Sequence, residues 1–373
     1  MRILHVLPDA EMGGGHVNAL RLTAALAELA PGAAEARFLL PADASPTLRR
    51  AFAEAGASCA FGRHRGRRGL ARLALDIARE GRGADIVHAH GLRAALAARM
   101  ARAACGGRFG LLYNVRGTHV ASWRNQRLAR ALQGAALRGA DAVALVSQAD
   151  ARLNAERYGL DAHPLAAVIP NGVAAPPGPP PADEARDLDV LFVGRLTAQK
   201  DPEAFAWTLA HLTRLRGRAP RALVIGGGEL EGVLRARLAA LGLDEVRLSP
   251  ALPNAQVQQA MRRARLLVMT SRWEGLPTVA IEAALNGAAP VGFDVFAETI
   301  PPALRAPLVA PARDPAALAA LAAALLDAPE RRAALAGALR EHALAAFSPE
   351  AMARGYLALY ARINPARSAS TVP

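Results

Sequence analysis

Three things are scarce in this sequence: cysteine, long apolar runs and lysine. Only Cys59 and Cys105 occur in 373 residues, which excludes a disulfide framework and favours a reducing compartment. The first apolar run, Ile3–Leu7, is too short for a signal-peptide core and meets Asp9 and Glu11. Ala316–Leu326 is 11 residues long, and spanning a bilayer takes about 20. Asp314-Pro315 before it suits the start of a packed helix. The expectation is a soluble or peripheral protein of the cytoplasm, at most touching the inner face of the plasma membrane. Lysine is scarcest: Lys200 stands alone beside 44 arginines in a chain of net charge +13. Charge of that size suggests an anionic partner, but such an arginine bias looks like a codon habit. The single exception is more informative than the total.

What is present is material for large cores. Apolar residues make up 52%, and single cores stop growing near roughly 250–300 residues, which predicts two or three domains. Short apolar runs alternate with amphipathic Ala/Leu/Arg stretches, read as strands alternating with helices. Strands are predicted at Ile3–Leu7, Arg37–Leu40, Ile86–His88, Leu111–Val115, Ala142–Val146 and Ala167–Ile169. After the proline-rich stretch Ala174–Ala182, further strands are predicted at Val190–Val193, Ala222–Ile225, Val246–Leu248, Leu266–Met269, Ala289–Val291 and Pro307–Val309. The pattern predicts an α/β protein with two doubly wound parallel sheets, in residues 1–173 and 188–346, joined by a linker over 174–187. Ligands in such sheets bind beyond the carboxyl ends of strands.

The residues just after strands therefore carry the chemistry. Gly13, Gly14 and Gly15 follow the first strand and open a helix, where backbone N–H groups favour anions. No G-K-[ST] follows, so this is no P-loop, nor is it G-x-G-x-x-G. Gly226–Glu229 closes a strand of the second half in the same way, with Gly227, Gly228 and Glu229 as candidate ligand contacts. Gly194, Arg195 and Lys200 follow another strand, where a forked and a point cation suit a diphosphate. Glu274, Gly275, Leu276, Pro277, Thr278 and Glu282 surround a predicted helix start, with two acids able to accept bonds from sugar hydroxyls. His119 falls at the end of a strand, on the predicted cleft edge. His88 and His90 share a strand face, but no third ligand follows them, and packed or capping roles are expected. Asp187 and Asp189, a D-x-D pair beside the linker, are likewise expected to be structural. The one concentrated basic run, Gly62–Gly69, has no interleaved aromatic. It makes Arg63, Arg65, Arg67 and Arg68 candidates for contact with an anionic membrane rather than with nucleic acid.

Taken together, these motifs resemble the family-four retaining glycosyltransferases of GT-B fold, over nearly the whole chain. The resemblance rests on Gly13–Gly15, Asp85–His90, Val146-Ser147, Ile169–Val173 with Asn171, Val193–Leu196 with Lys200, Gly226–Glu229, and the E-x7-E pair Glu274 and Glu282 ahead of Gly287 and Pro290-Val291. It implies sugar transfer from a nucleotide-sugar to a glycan or lipid-linked acceptor, with retained anomeric configuration. It further implies that Arg195 and Lys200 hold the diphosphate, Glu274 the donor sugar and Glu282 the ribose, with His119 beside the transferred sugar. No metal and no cofactor are implied. A closing segment over 347–373 would cross back onto the first domain. Two departures stand out: Val120 follows His119 where an acid is common, and Phe293 and Phe296 add bulk expected to reshape the donor-sugar pocket. The competing readings are a GT-B epimerase or phosphorylase, and a basic polyanion or membrane binder without sugar-nucleotide affinity.

Overall fold

The computed structural model describes residues 1–65, 69–115 and 125–363. Two compact units emerge, one of Met1–Gly172 with the segment from Pro349 onward, the other of Val173–Ser348. Each is a parallel sheet covered by helices, the two Rossmann-like units that the alternation predicts.

In the first unit, the described strands are β1 (Arg2–Val6), β2 (Glu35–Leu40), β3 (Ser58–Phe61), β4 (Ile86–His90), β5 (Gly110–Asn114), β6 (Ala142–Leu145) and β7 (Ala166–Val168). Their order is β3-β2-β1-β4-β5-β6-β7. Strand β4 is buried along its whole length, as central parallel strands with helices on both faces must be. The direction of winding reverses between β1 and β4, which opens a crevice at their carboxyl ends. Sequence reading passes over β3, because Ser-Cys-Ala-Phe is short and its exposed-to-buried alternation is incomplete.

Helix Pro349–Ile363 completes this unit rather than the one that precedes it. Its Met352, Ala353, Tyr356, Leu359 and Tyr360 join a core containing Ile3, Ile86, Leu112 and Ala142. The Tyr360 hydroxyl meets His88 Nδ1 at 2.8 Å, and the Tyr356 hydroxyl accepts from Asn114 Nδ2. Burial pushes the Tyr360 phenol well above its ordinary value, so it stays a neutral hydrogen-bonding group at neutral pH.

In the second unit the strands are β8 (Leu188–Val193), β9 (Ala222–Ile225), β10 (Arg247–Ser249), β11 (Ala264–Met269), β12 (Ala289–Phe293) and β13 (Val309–Ala310), ordered β10-β9-β8-β11-β12-β13. Winding here reverses between β8 and β11. The proline-rich stretch lies on this unit. Buried Arg186 donates to the carbonyls of Pro181, Ala264 and Asn286 at 3.2, 2.7 and 3.1 Å. Asp183 receives Arg332, and Pro179 receives Arg262. The D-x-D pair is spent on architecture. Asp187 accepts two bonds from Arg263, which hold its carboxyl below the usual range. Asp189 accepts from the Arg221 amide and from Arg265, both at 3.0 Å. Phe293 and Phe296 are fully buried in the core of this unit, so they fill the interior and do not line a ligand pocket.

Removing one docking bond of the closing helix tests its role. Tyr360→Phe is expected to weaken the first unit by about 1–2 kcal/mol, read as faster hydrogen exchange in β4 and β5 with the second unit unchanged.

Candidate functional site

The second unit gathers its predicted residues at one end of its sheet. Strands β9 and β11 flank β8, with Val193 opposite Ile225 and Leu191 opposite Leu267. The segments following these three strands therefore leave the sheet side by side. Backbone bonds clamp two of them together: Gly194 N to Ile225 O at 3.0 Å, Leu196 N to Gly227 O at 2.9 Å, and Leu230 N to Leu196 O at 2.9 Å. Such an approach leaves no room for side chains. A Cβ on Gly226 would overlap the Gly194 carbonyl, and one on Gly228 the Leu196 carbonyl. The glycine turn is thus required by the fold itself, with Glu229 exposed at its end.

The third segment brings Glu274 to the cations of the first. Lys200 Nζ lies 2.5 Å from Glu274 Oε1, with both side chains largely withdrawn from solvent. Gln199 joins the group, accepting from Arg195 Nη2 at 3.1 Å and donating to the Trp273 carbonyl at 3.1 Å and to Glu274 Oε2 at 3.5 Å. The Arg272 amide donates to the Gln199 carbonyl at 2.7 Å, which stitches the 194–200 loop to the 270–277 loop. Gly275 and Leu276 lead into helix Thr278–Leu285, with Pro277 at its N-cap and half-buried Glu282 in its second turn. The arrangement is a cation pair beside a carboxylate and a helix N-terminus, at the switch point of a doubly wound sheet. It suits an anionic ligand bearing hydroxyl groups.

Gln199 and Trp273 are missed by sequence reading. The signal for Gln199 is its position next to the only lysine; nothing in the sequence singles out its bridging of the two loops.

In the first unit, Gly13 caps helix Gly14–Leu29 and Gly14 and Gly15 are its first residues, beyond the carboxyl end of β1. A Cβ on Gly13 or Gly14 would meet nothing within 4 Å. Unlike Gly226 and Gly228, these glycines answer no packing demand among the described residues. Asn171 is half-buried, and its Oδ1 has no partner among the described residues. His119 lies outside the described residues, as do Arg67 and Arg68. Arg63 and Arg65 are exposed, while His64 between them is buried and bonds Asp76 Oδ2 at 2.8 Å.

The histidine pair of β4 does have a third member, which precedes it in the chain. His5 of β1 stands in register with His88, and the three rings are buried together. Four of their nitrogens are engaged within the protein: His5 Nδ1 with His90 Nε2 at 3.0 Å, His88 Nδ1 with Tyr360 and His88 Nε2 with Asn114 Nδ2 at 3.4 Å. His88 and His90 also stack, with centroids 4.1 Å apart. These contacts make a packed polar network.

Comparison with known proteins agrees with this geometry. Residues 12–175 match the family described as Glycosyltransferase Family 4, and residues 181–342 match Glycosyl transferases group 1. The chain belongs to this group of glycosyltransferases, whose fold is GT-B. A D-inositol 3-phosphate glycosyltransferase of Segniliparus rotundus is 36% identical over 182 residues, 46% of this chain and 39% of that protein. The amylovoran biosynthesis glycosyltransferase AmsD of Erwinia amylovora is 32% identical over 105 residues, 28% of this chain and 29% of that protein. The chain thus spans well under half the length of the curated relatives it matches. Among solved structures, Anabaena HepE in complex with UDP and glucose superposes with a TM-score of 0.77 at 18% identity, over 96% of this chain and 98% of that one. Sucrose-phosphate synthase from Thermosynechococcus elongatus gives 0.79 at 18%, over 98% and 100%.

The two glycine turns are expected to respond differently to one methyl group. Gly228→Ala should cost about 1–3 kcal/mol, through overlap and a positive φ, and speed hydrogen exchange at the Leu196 and Leu230 amides. Gly14→Ala should leave thermal stability equal to or above wild type, by up to about 1 kcal/mol.

Proposed function

We propose that the chain is a retaining glycosyltransferase, moving a sugar from a nucleoside diphosphate sugar, with UDP favoured, to a glycan or lipid-linked acceptor in surface polysaccharide assembly. The observation that carries this reading is the meeting of Lys200, Glu274, Arg195 and Gln199 beside the Gly226–Glu229 turn. Support for the substrate class comes from the relatives. One of them, from Campylobacter jejuni, is an N-acetylgalactosaminyltransferase whose substrate is named as an undecaprenol-linked diphosphate glycan; it is 34% identical over 93 residues, a quarter of each chain.

In this reading the donor diphosphate takes the place of Glu274 as the partner of Lys200. Arg195 grips a second set of phosphate oxygens, and Glu274 turns to the hydroxyls of the donor sugar. Glu282 holds the ribose, and Gly275, Leu276 and Thr278 present backbone N–H groups at the helix start. As the bond from the anomeric carbon to phosphate oxygen breaks, its electron pair stays on that oxygen. Lys200 and Arg195 stabilise the charge that develops there. The acceptor hydroxyl oxygen bonds the anomeric carbon on the same face, and its proton passes to the departing phosphate oxygen. The two cations and the helix N-terminus supply this stabilisation without a metal.

The remaining roles belong to the first unit. The Gly13–Gly15 turn approaches phosphate or acceptor, Asn171 contributes to the substrate surface, and His119 sits beside the transferred sugar. Arg63, Arg65, Arg67 and Arg68 contact anionic lipid at the cytoplasmic face, at roughly 1 kcal/mol each. No helix among the described residues is long and apolar enough to cross a membrane.

Calorimetry with UDP, GDP and ADP in the presence of a chelator tests this directly. Binding of one diphosphate is expected, and binding of none overturns the reading. Lys200→Ala should lower turnover of the nucleotide-sugar by about 10²–10³-fold with an unchanged circular dichroism spectrum. Unchanged turnover removes Lys200 from the mechanism. Turnover that requires inorganic phosphate as acceptor would identify a phosphorylase instead.

A further inference from the structure

Directly after Lys200 stands the only non-glycine residue with positive φ among the described residues, Asp201 at φ 50°. A side chain in this region is strained, and such strain persists only where surroundings impose it. The surroundings here are unusually dense. Asp201 is buried; its Oδ1 caps the helix that begins at Pro202 by accepting from the Ala204 amide at 3.3 Å. Its Oδ2 accepts from Arg272 Nε at 3.0 Å and from Arg313 Nη2 at 2.7 Å. The Thr270 hydroxyl lies 2.9 Å from the carbonyl oxygens of both Lys200 and Asp201. Arg313 also donates to the Ser271 carbonyl at 2.8 Å and lies 5.0 Å over the buried Phe293 ring.

We propose that Asp201 and Arg313 are positioning residues for the Lys200–Glu274 pair. This rests on the reading of Lys200 as the diphosphate cation. One carboxylate oxygen ties three loops together: the one ending in Lys200, the one leading through Arg272 to Glu274, and the segment after β13 that carries Arg313. Lys200 is one residue from the knot, and Glu274 is two residues from Arg272. The 2.5 Å separation of ammonium and carboxylate is therefore held from behind, by charges that never touch the ligand. Arg313 is 112 residues away in the chain, three residues beyond the end of β13. Its second anchor, the ring of Phe293, explains the aromatic bulk after Pro290-Val291: it forms the floor under the guanidinium.

A purely structural knot and a positioning knot predict different ligand behaviour. Asp201→Asn keeps a residue tolerant of positive φ and a capping oxygen, and removes the charge. Arg313→Gln removes the other charge at a partly exposed side chain. The measurement is the affinity of each variant for the nucleoside diphosphate that wild type binds, against the matching monophosphate. Both variants are expected to lose about tenfold for the diphosphate, or 1.4 kcal/mol, with the monophosphate within about twofold, and Arg313→Lys is expected to restore part of the loss. Equal losses for both nucleotides, or a lower melting temperature with unchanged affinities, overturn the inference. Should Asp201→Asn fail to fold, Arg313→Gln decides alone. Wild-type protein that binds no diphosphate overturns the reading of Lys200 itself, and the inference falls with it. Binding by wild type with an unchanged ratio in the variants overturns only the inference.

Discussion

Backbone lies directly on backbone where the segment after β8 meets the turn after β9, and glycine is what permits it. Three hydrogen bonds hold Gly194–Leu196 to the Ile225–Leu230 stretch, with no side chain between them. Because this contact is made of main chain, it fixes the path of the loop toward Lys200 to within the tolerance of a sheet. Both cations of the candidate site hang from that path. Arg195 leaves it at one point, Gln199 at another, and Lys200 reaches Glu274 from its end. A flexible loop carrying the same residues would have to order two long cationic side chains each time a ligand arrived. Here most of that ordering is already done by the fold.

Polar groups in the first unit are used differently. Three of its buried histidines, His5, His88 and His90, meet one another and then Asn114, Tyr356 and Tyr360. A buried polar group costs free energy unless it is bonded, so a shared network is the arrangement that lets several histidines sit in one core. The network also makes the docking of helix Pro349–Ile363 specific, since apolar contacts alone would tolerate a shift along the sheet.

The architecture was readable because alternation of short apolar runs with Ala/Leu/Arg stretches is a repeated signal, and errors in single elements do not erase it. Strand ends moved by a residue or two, and β3 escaped notice because four residues carry little periodicity. Lys200 was conspicuous only against 44 arginines. Glu274 and Glu282 were visible as a spaced pair, but the ion pair that one of them makes was not. Contacts made between distant strands left no local mark. His5 looks like any residue of an apolar strand until β1 is laid beside β4, and Arg313 looks like one arginine among many until its carboxylate partner is known. Bulk at Phe293 and Phe296 was visible too, yet its direction, into the core, depends on the path of β12.

The first unit is assembled from two stretches of chain separated by the whole of the second. Residues 349–363 supply tyrosines and aliphatic groups to a core that the first 172 residues begin. On a ribosome, the early stretch therefore emerges with one apolar face of its sheet only partly covered, by helix Gly14–Leu29, while the next 176 residues, 173 to 348, are made. That later stretch carries its own complete sheet and core, so it is the part able to reach its final structure first. The part of the core left open makes the nascent first unit a natural client for chaperones until its closing helix arrives.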